Sequence, residues 1–368
     1  MNKHKRMNHH TLITTPIRRF ALLAGLLTLA LLLAACSPAG STDPVGSTSG
    51  ENVQSSNDGT TDPVQDPTDE PSSDPTDEPR LRIVSSFVPM YIFTANLIEG
   101  IPGVELKNMA APDTGCLHDY QLVPADMMLL ESADLFVING AGMEGFIGEI
   151  AASLPNLTQI EASHGIELLP ALGDHDHDHD HDDEHDENAD DHEDHADELD
   201  GNPHVWLSIP LAIEQIKNIS IGLQQADPEY AEQIQTNEAD YIATLEALHT
   251  EMHSALAQLE QRQMMTFHEA FPYFAQAFDL EIAGVILRDP GSEPSAAELA
   301  ETIDKVRDLG LKALFAEPQY PERVAETIAA ETGAQVYFLD PITTGTPTAT
   351  LYEEKMRQNL QVLLDALG

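Results

Sequence analysis

The stretch Asp227 to Leu259 reads D-P-E-Y-A-E-Q-I-Q-T-N-E-A-D-Y-I-A-T-L-E-A-L-H-T-E-M-H-S-A-L-A-Q-L. Asp227 is a helix N-cap residue and Pro228 fits the first helical position, where a missing N–H costs nothing. Tyr230, Ile234, Tyr241, Leu245, Leu248, Met252, Leu256 and Leu259 then recur at three-, four- and seven-residue steps, the spacing of one helix face. The pattern predicts a helix of about thirty residues, on the order of 45 Å long. It interrupts a chain that otherwise alternates short apolar runs with helical stretches.

The predicted strands are Leu81–Ser85, Val104–Ala110, Leu135–Asn139, Met264–Phe267, Ile282–Val285, Ala313–Ala316 and Val336–Leu339. The predicted helices are Val88–Ile98, Pro124–Glu131, Ser295–Leu309, Pro321–Glu331 and Leu351–Leu367. Alternation of this kind implies parallel sheets of the α/β class. We therefore expect an N-terminal lobe over 81–226, a linking helix over 227–260 and a C-terminal lobe over 261–368. A stiff helix joining two α/β lobes leaves a cleft between them as the natural ligand site.

Outward from the lobes, the N-terminus has the build of a secretory signal. Lys3, Lys5, Arg6, Arg18 and Arg19 precede an apolar run from Phe20 to Leu33, too short for a comfortable membrane span. The run ends in Leu33-Ala34-Ala35-Cys36, which looks like a bacterial lipobox. The expectation is a signal over 1–35, a diacylglycerol on Cys36, and an anchor on the outer face of the cytoplasmic membrane. Residues 36–80 are rich in Ser, Thr, Pro, Asp and Glu, with Asp66-Pro67-Thr68-Asp69-Glu70-Pro71 nearly repeated as Asp74-Pro75-Thr76-Asp77-Glu78-Pro79. Such a tether is expected to span about 40 Å as a flexible coil and up to about 130 Å if polyproline-like.

The chain holds two cysteines, so with Cys36 acylated Cys116 has no intramolecular partner. The formal net charge is −46, and loss of the five basic signal residues makes it more negative still. That balance argues against a nucleic-acid partner and favours cation accumulation.

Residues 174–200 concentrate that charge. They read D-H-D-H-D-H-D-H-D-D-E-H-D-E-N-A-D-D-H-E-D-H-A-D-E-L-D, without Lys or Arg. With almost nothing to bury, the tract cannot offset its ordering entropy and is expected to be disordered. A solvated acidic loop would need no histidine. Imidazole and carboxylate at this density are the ligands of borderline divalent metals, zinc above all, so His175, His177, His179, His181, His185, His192 and His195 are read as a low-affinity accessory set.

Four further positions stand out: His118 in G-C-L-H-D-Y, His204 in N-P-H-V-W-L beside the only Trp, His268 after an apolar run, and Asp340 before Pro341. A lone His is more often a packed, hydrogen-bonded residue than a ligand. Taken together, however, these surroundings resemble the metal-binding lipoproteins of bacterial ABC importers for Zn²⁺ and Mn²⁺. The matching runs are His118–Leu122 with Pro124-Ala125-Asp126, Leu135–Met143, Asn202–Leu207, His268–Phe274 and Phe315–Gln319.

The resemblance implies one metal site between the lobes, with His118 and His204 from the first and His268 and Asp340 from the second. Three imidazoles and a carboxylate suit tetrahedral Zn²⁺, with Mn²⁺ as the alternative. Glu317 is the rival to Asp340, and Glu269, Glu293 and Glu317 are candidate acceptors for imidazole N–H groups. Cys116, where many relatives have Asp, is either a soft auxiliary ligand or a small packed thiol. The resemblance also implies a membrane permease as partner, and a monomer is expected.

Three other readings compete. A zinc hydrolase needs an open coordination position and a general base; Glu269 could be cast as that base, but His249-Thr250-Glu251-Met252-His253 is not the His-Glu-x-x-His arrangement. A surface zinc buffer or adhesin would make the His-Asp tract the working element. The His249/His253 pair, one helical turn apart, is either a clamp or simply exposed.

Overall fold

The structure, a computed structural model, describes residues 78–118, 120–171, 201–286, 294–318 and 322–368. The signal over 1–35, Cys36 with the tether to residue 77, the His-Asp insert over 174–200 and Glu293 lie outside the described residues.

The first half builds a sheet from β1 (Leu81–Ser85), β2 (Val104–Asn108), β3 (Leu135–Ile138) and β4 (Thr158–Glu161), all parallel in the order β2-β1-β3-β4. The second half repeats that order with β5 (Gln263–Thr266), β6 (Glu281–Val285), β7 (Ala313–Ala316) and β8 (Gln335–Phe338), arranged β6-β5-β7-β8. Helices α1 (Val88–Leu97), α2 (Pro124–Glu131), α3 (Ile147–Ser153) and α4 (Ile209–Ala226) belong to the first half. The second holds α6 (Pro272–Ala277), α7 (Ala296–Asp308), α8 (Glu322–Thr332) and α9 (Leu351–Leu367). The central strands β3 and β7 are buried along their whole length and consist of apolar runs, as parallel strands covered on both faces require.

The linking segment begins with a tight 3₁₀ turn, Pro228–Tyr230, before the α-helix proper, α5 (Ala231–Leu256). The helix is therefore shorter than the pattern suggested, at 26 residues. Its start is pinned to β1: buried Asp227 pairs with Arg80 at 2.8 Å, and the Arg80 guanidinium lies 4.6 Å from the Tyr230 ring centroid. Ile234, Tyr241, Leu245, Leu248, Met252 and Leu256 form its buried face. That face packs against α1 and α4 of the first half and α9 of the second. Each such side chain contributes roughly 1.5–3 kcal/mol when removed from water.

In a parallel sheet of this order the chain reverses direction between β1 and β3, and again between β5 and β7. Crevices at the carboxyl ends of such strands are where α/β folds hold ligands. At the first reversal the buried Glu144 carboxylate organises the loop after β3. It accepts from Ser86 Oγ (2.7 Å), Asn139 N (2.8 Å) and Gly140 N (3.0 Å). Burial pushes this carboxyl up to about 7, and the three donors oppose that rise. Gly140 adopts φ +74°, and a Cβ there would meet the Glu161 side chain at 2.3 Å, so the turn requires glycine on both counts.

One apolar core runs through both halves, joined by Trp206, Tyr352 and Phe274, while a second cluster centred on Leu314, Phe315's neighbour, fills the far side of the second sheet. Hydrogen bonds stitch the halves together: Trp206 Nε1 donates to Pro341 O (2.8 Å), Tyr352 OH to Trp206 O (2.7 Å) and Tyr273 OH to Asn202 O (2.7 Å).

Candidate metal centre

The two reversal points face the same place, and the histidines singled out from the sequence meet there. His204 lies on the long connection after β4, completely buried. The loop is set by Asn139, just beyond β3, whose Nδ2 donates to Pro203 O at 3.0 Å. His268 follows β5 by two residues, Glu317 follows β7 directly, and both are buried. Cys116 and His118 come from the loop after β2, with Leu117 between them buried as the anchor.

His118 Nε2 and His204 Nε2 are 3.3 Å apart, and Cys116 Sγ is 3.6 Å from the same His204 nitrogen. The ring centroids of His204 and His268 lie 4.9 Å apart, and those of His118 and His268 5.8 Å. Donor atoms of Cys116, His204 and His268 all fall within 4.8 Å of one another. Glu317 Oε1 stands 3.4 Å from His268 Nδ1.

The Asp340 carboxylate has partners of its own. One carboxylate oxygen accepts from Ile342 N (2.8 Å) and the other pairs with Lys355 Nζ (2.5 Å). Its backbone is held at both ends by the Asn359 side chain. Glu269 contributes its backbone carbonyl, which accepts from Asn202 Nδ2 at 2.7 Å. His249 and His253 are neighbours on α5, with ring centroids 6.0 Å apart, and His253 Nε2 lies 3.5 Å from Asp279.

The electrostatics favour a cation. Burial first, then the His268 and His118 imidazoles, hold His204 well below the ordinary imidazole value, so it stays neutral with a lone pair to offer. Burial, then the Glu317 carboxylate, push the Cys116 thiol well above its usual value, against a hydrogen bond with Thr343.

Sequence reasoning assigned no role to Asn202, yet it orients the central imidazole. Its Oδ1 lies 2.9 Å from both His204 Nδ1 and His204 N. That contact holds a proton on Nδ1 and turns Nε2 toward His118 and Cys116. Because Asn202 also bonds Glu269 O and Tyr273 OH, it ties the ligand loop of the first half to the second. The available signal was a polar residue two places before His204, in a run otherwise apolar. Asn202→Ala is expected to weaken metal binding about 10–100-fold, the usual cost of losing a partner that orients an imidazole. Competition with a chelator measures it; an unchanged affinity would remove Asn202 from the account.

A family model described as "Zinc-uptake complex component A periplasmic" matches residues 83–366. The chain is 31% identical over 294 residues to the high-affinity zinc uptake system protein ZnuA of Bacillus subtilis, covering 78% of this chain and 88% of that protein. It is 30% identical over 294 residues to the zinc-binding lipoprotein AdcA of Streptococcus pneumoniae, covering 77% of this chain. The chain spans only 55% of that relative's length. Among solved structures, the solute-binding protein FpvC of Pseudomonas aeruginosa in complex with Mn²⁺ matches with a TM-score of 0.64 and 30% identity, over 78% of this chain and 98% of that one.

Proposed function

The chain belongs to the family of zinc-uptake complex component A, and from that premise we propose that it is an extracytoplasmic receptor that captures Zn²⁺ and delivers it to the membrane permease of an ABC importer. The observation that supports this most directly is the convergence of His118, His204 and His268 at the reversal points of two parallel sheets. In this reading the three imidazoles are the first donors. For the fourth donor the sequence offers Asp340, with Glu317 as its rival, and the geometry adds Cys116, whose Sγ lies 3.6 Å from His204 Nε2. A neutral His204 favours a borderline cation, and three nitrogens favour Zn²⁺ over Mn²⁺, whose preferred ligands are oxygens.

With all four positions taken by the protein, no metal-bound water remains to be activated, so the role is transport rather than hydrolysis. Cys36 carries the lipid anchor, residues 36–80 form the tether, and the two halves with the linking helix form one monomeric receptor. The seven histidines of the insert gather metal at low affinity.

Titration of the mature chain and of a variant lacking residues 174–200 tests this. Both are expected to keep one tight zinc equivalent that Mn²⁺ displaces poorly, while the deletion removes the weaker equivalents. Loss of the tight equivalent with the insert would make the protein a surface buffer. Preferential binding of Mn²⁺ would keep the transport role and reverse the choice of metal.

A further inference from the structure

We propose that the Cys116 thiolate is the fourth donor to the metal, so that this receptor presents three nitrogens and a sulfur to its cargo. The proposal rests on the receptor reading above and specifies the chemistry of that site.

Two donor separations match the edges of a tetrahedral zinc site. With Zn–N near 2.0 Å and Zn–S near 2.3 Å, a regular tetrahedron has N···N edges of about 3.3 Å and N···S edges of about 3.5 Å. His118 Nε2 and His204 Nε2 are 3.3 Å apart; Cys116 Sγ and His204 Nε2 are 3.6 Å apart. His268 joins the same group, with its donor atom within 4.8 Å of both Cys116 and His204. A cation bound at His204 Nε2 would lie within reach of Cys116 Sγ and His118 Nε2, and His268 would close on it by a small shift.

The carboxylates are placed for other work. Both oxygens of Asp340 are engaged, one by Lys355 and one by Ile342 N, so its recruitment would break a half-buried ion pair. Glu317, 3.4 Å from His268 Nδ1, sits where a carboxylate orients a ligating imidazole through its other nitrogen. It also supplies charge. A carboxylate and a thiolate close together offset the charge of a divalent cation. As the S–Zn bond forms, the thiol proton leaves to solvent and the S–H electron pair becomes the donor pair. A soft sulfur donor adds to the preference for zinc over manganese.

The sequence makes the test clean, since Cys36 and Cys116 are its only cysteines. In a full-length Cys36→Ser background, one equivalent of Co²⁺ is expected to give an intense near-ultraviolet sulfur-to-cobalt charge-transfer band alongside the visible d–d bands of a four-coordinate site. Cys116→Ser and Cys116→Ala, checked for native circular dichroism, should lose the near-ultraviolet band and bind zinc roughly a hundredfold more weakly. Visible bands abolished by His204→Gln but no charge-transfer band in the parent would overturn the thiolate proposal and leave the imidazole site standing. A fall in affinity without that band assigns Cys116 to packing and overturns it equally. Absence of any tight cobalt or zinc site in the parent would sink the receptor reading along with it.

Discussion

His268→Ala is expected to lower the zinc affinity of the mature chain by about a hundredfold or more. Four protein donors together provide on the order of 10–16 kcal/mol in structural zinc sites, so one donor is worth about 3 kcal/mol, and each 1.4 kcal/mol is a factor of ten. His268 is the one imidazole that the second half brings to the group, so its loss also uncouples metal binding from the contact between halves. If the seven insert histidines hold zinc as proposed, they would mask the effect in a simple stoichiometry. A competing chelator strong enough to strip the insert isolates the tight equivalent. Because His268 is buried, melting curves of the metal-free proteins must accompany the titration. If the metal-free variant melts like the parent and zinc affinity changes by less than about threefold, His268 is a packing residue and the site as described is wrong.

Trp206→Ala is expected to destabilise the metal-free protein by about 3–5 kcal/mol, at the upper end for single core substitutions. The indole is fully buried and meets Phe87, the N-cap residue of α1, edge-on with centroids 5.0 Å apart. Its N–H bonds Pro341 O and its own carbonyl accepts from Tyr352 OH, both in the second half. Truncation therefore opens a cavity, strands Pro341 O and loosens the main join between the sheets. Trp206→Phe keeps most of the packing but not the donor, and should cost about 1–3 kcal/mol for the unpaired carbonyl. Denaturant midpoints followed by far-ultraviolet circular dichroism give both values, since the only Trp is the residue removed. A loss below about 1 kcal/mol for Trp206→Ala would mean that the halves are held together elsewhere.

Much of the fold was legible because its signals were local. The apolar run Ala313–Ala316 and the segments Leu81–Ser85, Pro124–Glu131 and Leu351–Leu367 are elements with the bounds read from sequence. The helix read from Ser295 onward starts on a capping box that the reading did not use, in which Ser295 and Glu298 bond each other reciprocally. β4 escaped notice because Thr158–Glu161 has a single buried residue, Ile160, as expected of an edge strand. The reading also lacks α4, although Ile209, Ala212, Ile213, Ile216, Ile219 and Leu223 repeat at helical steps after Ser208 and Pro210. There the signal was present and went unused.

The candidate site divides differently. The three histidines could be chosen because each sits in a distinctive run, but no spacing along the chain tells that Cys116 and His204, 88 residues apart, come within 3.6 Å. The engagement of Asp340 by Lys355 was equally invisible, since it depends on how α9 packs behind β8. Asn202 was passed over for a physical reason: its importance lies in orienting another residue, which leaves no pattern of its own in sequence.

The most direct test of the central claim is anomalous diffraction at the zinc edge from crystals of the protein loaded with one equivalent of zinc. The account predicts a single strong peak about 2.0–2.1 Å from nitrogens of His118, His204 and His268. A strongest peak elsewhere, at His249 and His253 or along residues 174–200, with the three imidazoles left bare, would contradict it.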